Sequence, residues 1–249
     1  AITPMGRQHE NDREATAADL KWLADPAEEP EPFGDGGTKM AWNTFNVVSI
    51  YPNGNPVMSD VNQRWVGDCC ACAVIASMAY LYPRFVKHII KDNMDKTYTV
   101  TMYDPKGKQI SVGVGGDYFI GNSGDLGALG GRNKEVTWAT ILEKAMIKWN
   151  QIYQGSSNVG GIGTEYVSAI FTGDGESVGF GANALIAEDL QRAVEVSLKQ
   201  GRLVIGGFTR SGEQVDQNWQ TTSGHAFTFI LPDDNTHLFK MRNPWGGTT

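Results

Sequence analysis

A glycine- and serine-rich stretch at residues 155–163, GSSNVGGIG, divides the chain into two parts with different residue patterns. Before it, helical patterns dominate: residues 69–81 are rich in alanine, and residues 139–153 carry apolar side chains on one face. After it, a helix at residues 188–200 is followed by segments typical of strands. The stretch itself is a candidate hinge. The sequence therefore predicts an α+β fold with a helix-rich part first and a strand-rich part second.

Shorter elements complete this prediction. A helix is expected at residues 15–24, where Thr16 caps it and Asp19 stands three residues later. The remaining predicted strands are residues 42–51, a hairpin of 98–102 and 109–114, and 203–209, 225–231 and 238–242.

The charge of the chain is concentrated at its beginning. Net charge is −7, and residues 1–45, with nine acidic and four basic side chains, carry −5 of it. Such an acidic, proline-containing leader is expected to be extended and weakly ordered, either as a solvated tail or as a pro-segment. The acidic balance argues against a nucleic-acid partner. No apolar run approaches the roughly 18 residues of a transmembrane segment, and no signal peptide is visible.

A cysteine, a histidine and an asparagine occur in an order that suits nucleophilic catalysis. Cys69 is followed 156 residues later by His225 and a further 18 residues later by Asn243. A thiol nucleophile needs a base, and the base needs a third group to orient it. Papain-like peptidases use Cys, His and Asn for these three roles, with the partners far downstream of the cysteine. The alternative is that each of these three residues has only a structural role, and only the residues that flank them argue against this alternative.

Those flanking residues resemble the calpain family of cysteine peptidases. The family pattern of Gln, five residues and Cys, with Gly-Asp before the Cys, reads QRWVGDC at 63–69. The family histidine segment reads SGHAFTF at 223–229, and the asparagine segment reads RNPWG at 242–246. The stretch WATILEKA at 138–145 resembles a family helix. The resemblance covers residues 60–249, and the acidity and the departures from the family pattern favour a prokaryotic member.

The resemblance implies a papain-like core of two lobes with the active site between them. The expected organisation is a leader or pro-segment at 1–45, a helical lobe with the nucleophile at 46–155, and a β-rich lobe with His and Asn at 156–249. The resemblance also implies that the side-chain amide of Gln63 donates to the oxyanion, beside the backbone N–H of Cys69. Trp245 would shield the contact between His225 and Asn243.

The chain departs from the family pattern in two places. The residue after the nucleophile, usually Trp, is Cys70, which places a second thiol beside the first. With Cys72 the three thiols form a candidate soft-metal site, although adjacent side chains diverge on a helix. The second lobe of the family continues beyond RNPWG, so we expect a shortened lobe or one completed by a segment outside this chain.

The resemblance to the calpain family also implies a calcium site. Asp60, three residues before Gln63, and Glu135, three before Trp138, stand in positions like those of family calcium ligands. Calcium takes six to eight oxygen ligands, so two carboxylates and loop carbonyls could hold it in a regulatory role. The alternative is that both are solvated surface acids. The chemistry itself requires no cofactor.

The expected function is a cysteine endopeptidase that forms an acyl-enzyme, acts on proteins or peptides, and is calcium-regulated and self-processed. The alternatives are a catalytically silent calpain-like binding or regulatory module, and acyl transfer to an amine by the same triad. The protein is expected to be soluble, and a secreted or cell-surface mature form is one possibility. It is also expected to contact its own leader or a missing C-terminal segment. Three crowded cysteines, Cys69, Cys70 and Cys72, do not form a disulfide framework.

Overall fold

The computed structural model describes residues 2–3, 12–33, 41–121, 123–179, 181, 184–208, 211–216, 219–220, 223–234 and 240–246. The helices are α1 Ala17–Ala24, α2 Cys69–Leu81, α3 Pro83–Ile89, α4 Trp138–Tyr153, α5 Thr164–Thr172 and α6 Ala187–Lys199. The strands are β1 Ile2–Thr3, β2 Ala41–Thr44, β3 Ile90–Asp92, β4 Tyr98–Tyr103, β5 Gln109–Val114, β6 Asp117–Ile120, β7 Ser177–Val178, β8 Ile205–Gly207, β9 Gln214–Asp216, β10 Trp219–Gln220, β11 Ala226–Ile230 and β12 Lys240–Arg242.

Helices and strands mix as an α+β fold requires, with the main hydrophobic core around α2 and α4. Helix α2 has no charged residue and is buried over most of its length. Helix α4 begins after Thr137, whose side chain caps it, and nearly all of its residues are buried. Within the described residues, no single helix has the length and hydropathy to cross a bilayer; α2 and α3 reach that threshold only as a joined pair, which is bent by 114°.

The predicted hairpin forms two neighbouring strands, β4 and β5, of a three-stranded antiparallel sheet in the order β3-β4-β5. Strand β4 pairs with β5 from Tyr98 opposite Val114 to Tyr103 opposite Gln109. The Asp104 carboxylate accepts the backbone N–H groups of Lys106 and Lys108 and thereby closes the turn. The inward-facing residues of this sheet pack against the core helices.

The acidic leader is docked onto this core over residues 12–33, and the expectation of a weakly ordered segment is wrong there. Helix α1 has the predicted capping box between Thr16 and Asp19, and its Leu23 is fully buried. The Lys148 ammonium of α4 donates to the carbonyls of Asp25 and Gly113 at 2.9 and 2.8 Å. Long-range burial of apolar side chains and of this cation outweighs the local charge and proline content.

The glycine-rich stretch does not end the main core. Helix α5 follows it, yet α5 packs against α2 and β4 and contributes buried Val167, Ile170 and Phe171. The first core therefore continues to residue 172. The strand-rich part starts beyond it, after α6, which lies one residue from its expected bounds.

A second antiparallel sheet, in the order β12-β11-β8, lies against α2. The three predicted strands are present but shorter, with residues 209, 238 and 239 outside the described part of the chain. The Thr228 hydroxyl donates to the carbonyl of Ala73 at 2.7 Å, and the backbone N–H of Leu231 donates to the Tyr80 hydroxyl at 3.2 Å. These bonds fix β11 directly on the helix that begins at Cys69.

Candidate active site

Cys69 is the first residue of α2 and lies where this helix meets the β12-β11-β8 sheet. Its side chain packs with Ala73 of the same helix and Ala226 of β11, and only 8% of its surface is exposed. The partial positive charge of a helix N-terminus favours a thiolate at this position.

The pKa of Cys69 is lowered to about 4 by its hydrogen-bond donors. The largest cause is the Cys70 thiol, which donates to the Cys69 sulfur; burial acts in the opposite direction. Interactions with His225 and with the backbone N–H of Ala226 lower this pKa further, and by geometry the thiol donates to the carbonyl of Gly224 at 3.8 Å. The same contact and burial raise the pKa of Cys70, so Cys69 is the thiol that ionises.

His225 lies between Cys69 and Asn243. Its Nε2 donates to Oδ1 of Asn243 at 2.8 Å, and its ring lies close enough to Cys69 for that residue to raise the pKa of the histidine. Because Nε2 is engaged by the asparagine, Nδ1 is the nitrogen that remains for the sulfur. Burial alone would lower the pKa of His225, but the hydrogen bonds to Cys69 and Asn243 and the thiolate charge raise it overall.

The second sheet explains why histidine and asparagine meet. Strand β11 begins just after His225 and β12 ends just before Asn243, and Thr228 lies opposite Arg242 in their antiparallel register. His225 and Asn243 therefore lie side by side at the same end of these two paired strands. Gly224 precedes the histidine at φ +68, a conformation that glycine adopts without strain.

Trp245 completes the surroundings of His225. The two rings lie 4.3 Å apart between centroids with a tilt of 32°. The backbone N–H of Trp245 donates to the same Asn243 oxygen at 3.0 Å, which fixes the orientation of that amide. Trp245 is 57% exposed whereas His225 is 7% exposed, so the indole covers the histidine from solvent.

Gln63 lies next to the asparagine segment. Its backbone N–H donates to the carbonyl of Pro244 at 2.8 Å, and its side-chain Nε2 donates to the carbonyl of Val66 at 2.9 Å. An amide nitrogen carries two hydrogens, so one remains for a further acceptor. A cavity of about 430 Å³ adjoins this residue. The cavity is lined by Gln63, Arg64, Trp65, Ser123, Asp125, Leu126 and Lys134.

The two predicted calcium ligands differ in what they offer a cation. Asp60 is buried, and its carboxylate accepts from Asn53 Nδ2, Val57 N–H and Trp138 Nε1 at 2.7, 3.1 and 2.7 Å. It therefore serves as a hydrogen-bond centre for the protein and does not fit an open calcium site. Glu135 fits better, because its buried Oε2 has no hydrogen-bond partner among the described residues.

Three residues close to Cys69 were not assigned a role from the sequence. Cys70 contacts the nucleophile as a donor, although it was expected only as a second thiol. Asp68 and Glu143 meet behind Cys69, with Cys72 beside them. Asp68 lies inside the motif QRWVGDC and Glu143 inside WATILEKA, and their positions within these two motifs were the signal available.

A comparison with known families assigns most of the chain to one of them. A family described as calpain family cysteine protease matches residues 41–249. A comparison with curated proteins found no match to the chain. The matched range includes Cys69, His225 and Asn243 and the segments around them. The chain therefore belongs to the calpain family of cysteine proteases.

Proposed function

We propose that the protein is an endopeptidase that cleaves peptide bonds through Cys69, His225 and Asn243. The observation that carries the proposal is the position of His225, which lies close enough to Cys69 for each to shift the pKa of the other and which hydrogen-bonds to Asn243. The low pKa of Cys69 and the raised pKa of His225 favour a thiolate–imidazolium pair. That pair is a nucleophile and a general acid already in contact.

The reaction follows from these positions. The Cys69 thiolate attacks the carbonyl carbon of the substrate, and the His225 imidazolium gives its proton to the leaving amine. The C–N bond breaks, and the acyl group stays on sulfur as a thioester. A water molecule then attacks this thioester, His225 takes its proton, and the C–S bond breaks, which releases the acid product and regenerates the thiolate–imidazolium pair.

Gln63 and the start of α2 are proposed to stabilise the oxyanion. The remaining N–H of the Gln63 amide and the first N–H groups of α2, which have no intrahelical acceptor, are the available donors. One such donor contributes on the order of 3 kcal/mol to transition-state stabilisation. We expect the oxyanion to lie between them.

The broader arrangement is proposed to be a papain-like core with two lobes. One lobe is the α2–α4 core with the β3-β4-β5 sheet, and the other contains the β12-β11-β8 sheet. Proteins or peptides are the proposed substrates. Regulation by calcium and self-processing near the acidic leader are further parts of the proposal; of the two predicted calcium ligands, Glu135 is the one with an oxygen available for the ion.

The proposal is tested by a nucleophile variant with a matched thiol control. Cys69→Ala should abolish peptide cleavage while circular dichroism shows an unchanged fold, and Cys70→Ala should keep turnover. An iodoacetamide-type probe followed by peptide mapping should label Cys69 first. Cleavage by Cys69→Ala, or labelling of Cys70 alone, would exclude this assignment.

A catalytically silent module is the second candidate. The substitution of Cys70 at a position where the family usually has Trp favours it. A silent module would react with the probe at the rate of an ordinary exposed thiol and would cleave no member of a peptide library.

A further inference from the structure

Two buried acids lie side by side immediately behind the nucleophile. Asp68 precedes Cys69 at the start of α2, and Glu143 projects from α4; they are 0% and 1% exposed. A carboxyl oxygen of each and the Cys72 sulfur all lie within 4.8 Å of one another. The proposed catalytic steps use neither acid.

The hydrogen bonds at this pair are incomplete if both acids are charged. Asp68 Oδ1 accepts from the Cys72 thiol at 3.3 Å, and Glu143 Oε1 accepts from the backbone N–H of Leu129 at 3.0 Å. Asp68 Oδ2 and Glu143 Oε2 receive no donor from the described residues. Two buried carboxylates in contact repel each other, whereas one proton held between them satisfies both oxygens.

We propose that Asp68 and Glu143 share one proton and act as a positioning pair that ties the nucleophile to the oxyanion segment. Through Glu143 the pair holds Leu129, and the next residue, Gly130, exchanges backbone hydrogen bonds with Asn62 at 3.0 and 3.3 Å. Asn62 directly precedes Gln63. This positioning role rests on the proposed peptidase function, whereas the shared proton itself does not.

The charges around the pair are few in the described part of the chain. Cys69 and Cys72 face the pair from α2. Arg242 of β12 interacts electrostatically with Cys72, and its guanidinium donates to the Val61 carbonyl. Burial raises the pKa of Asp68 to about 6, and burial and the Asp68 charge raise that of Glu143 well above its usual range. A raised carboxyl pKa favours the fold at low pH, and this contribution is lost as pH rises through the raised values.

Amide substitutions separate a shared proton from other arrangements. In Glu143→Gln, the amide oxygen still accepts from Leu129 and the amide nitrogen donates to Asp68. In Asp68→Asn, the oxygen accepts from Cys72 and the nitrogen donates to Glu143. The double variant Asp68→Asn/Glu143→Gln brings two amide nitrogens together, so neither finds an acceptor.

The first measurement is the unfolding temperature of these variants in a Cys69→Ala background, which requires no activity. Each single amide should stay within about 3 °C of its parent at pH 6, and the double variant should fall by about 5 °C or more. As pH rises from about 4 through the raised pKa of the pair, the parent should lose stability, and Glu143→Gln should lose less. The second measurement, on the same substitutions in a protein that keeps Cys69, is alkylation of this cysteine at pH 5, which should slow at least about threefold in the double variant only.

Each other outcome overturns a defined part of the proposal. A double variant as stable as the singles would exclude the shared proton. Singles as unstable as the double, with a parent destabilised by chelator, would mean that the two carboxylates and Cys72 hold a cation instead. An unchanged alkylation rate in an unstable double variant would exclude the positioning role. A wild-type protein that cleaves no peptide would refute the peptidase, while the unfolding temperatures would still decide the pair.

Discussion

At the scale of single residues, a second thiol changes the acid–base chemistry of the nucleophile. The Cys70 thiol is the largest cause of the low pKa of Cys69. We therefore expect Cys70→Ala to raise the pKa of Cys69 by about one unit, since a hydrogen bond to a charged group contributes about 1.5–3 kcal/mol.

Thiolate absorbance as a function of pH measures this change. Cys70→Ser is the matched control, because its hydroxyl can still donate to the sulfur, and its titration should remain close to that of the wild type. Equal titration curves for Cys70→Ala and wild type would show that the neighbouring thiol does not stabilise the thiolate.

Asp60 gives a second prediction at this scale. Asp60→Ala removes the acceptor of the buried Trp138 and Val57 donors, and each unsatisfied buried donor costs about 1–3 kcal/mol. We expect the free energy of unfolding in urea to fall by about 3 kcal/mol or more. The loss should be the same with calcium and with chelator.

Asp60→Asn keeps one acceptor oxygen and serves as the milder comparison. A loss of stability that occurs only in the presence of calcium would instead make Asp60 a metal ligand.

At the scale of elements, helix α1 is an integral part of the core. Leu23 is fully buried against it, whereas Leu20 on the same helix is 39% exposed. Leu23→Ala is expected to lower the free energy of unfolding by about 2–5 kcal/mol, because it leaves a cavity. Leu20→Ala, the matched control, should change it by less than about 1 kcal/mol.

Thermal or chemical unfolding of both variants checks this prediction. Equal and small effects would mean that α1 is a detachable segment, as a removable pro-segment requires. Intact-mass analysis of active enzyme, with Cys69→Ala as reference, tests self-processing separately.

The sequence predicted local elements better than their partners. Helix α2 has its expected bounds, Cys69–Leu81, because its small apolar residues and Pro83 define it locally. The docking of residues 12–33 was missed, since it depends on Lys148 and the β5 backbone more than 80 residues away. The contact of Asp68 with Glu143 was missed for the same reason: helical periodicity does not show that α4 is covered on all sides.

At the scale of the whole molecule, the two shifted pKa values define a pH range of activity. Cys69 is a thiolate above about 4, and His225 stays protonated to a pH above its usual 6.5 because its pKa is raised. The ion pair exists between the two values. We expect kcat/KM to rise as pH passes about 4 and to fall as pH passes the raised value of His225.

A pH–rate profile with a stable peptide substrate measures both limits. Asn243→Ala should move the alkaline limit to lower pH, because the Asn243 hydrogen bond helps to raise the pKa of His225. An alkaline limit unchanged in this variant would contradict the assigned orientation of the ring.

Calcium regulation remains a prediction at this scale. We expect activity to be higher in millimolar calcium than in chelator, and the response to weaken in Glu135→Gln, whose side chain keeps the size but loses the charge. Isothermal titration with calcium would locate the effect. Equal rates in calcium and chelator would remove calcium from the proposed function.

The hydrogen bonds that fasten β11 onto α2 also determine when the proposed pair of Cys69 and His225 can form during synthesis. During synthesis the ribosome makes Cys69 long before His225 and Asn243. Until β11 lies on the helix, the cysteine lacks the histidine that helps ionise it and the amide of Ala226 that holds the charge. A nascent chain should therefore be inert toward its neighbours, and cleavage should begin only once the late strands have been made and have docked.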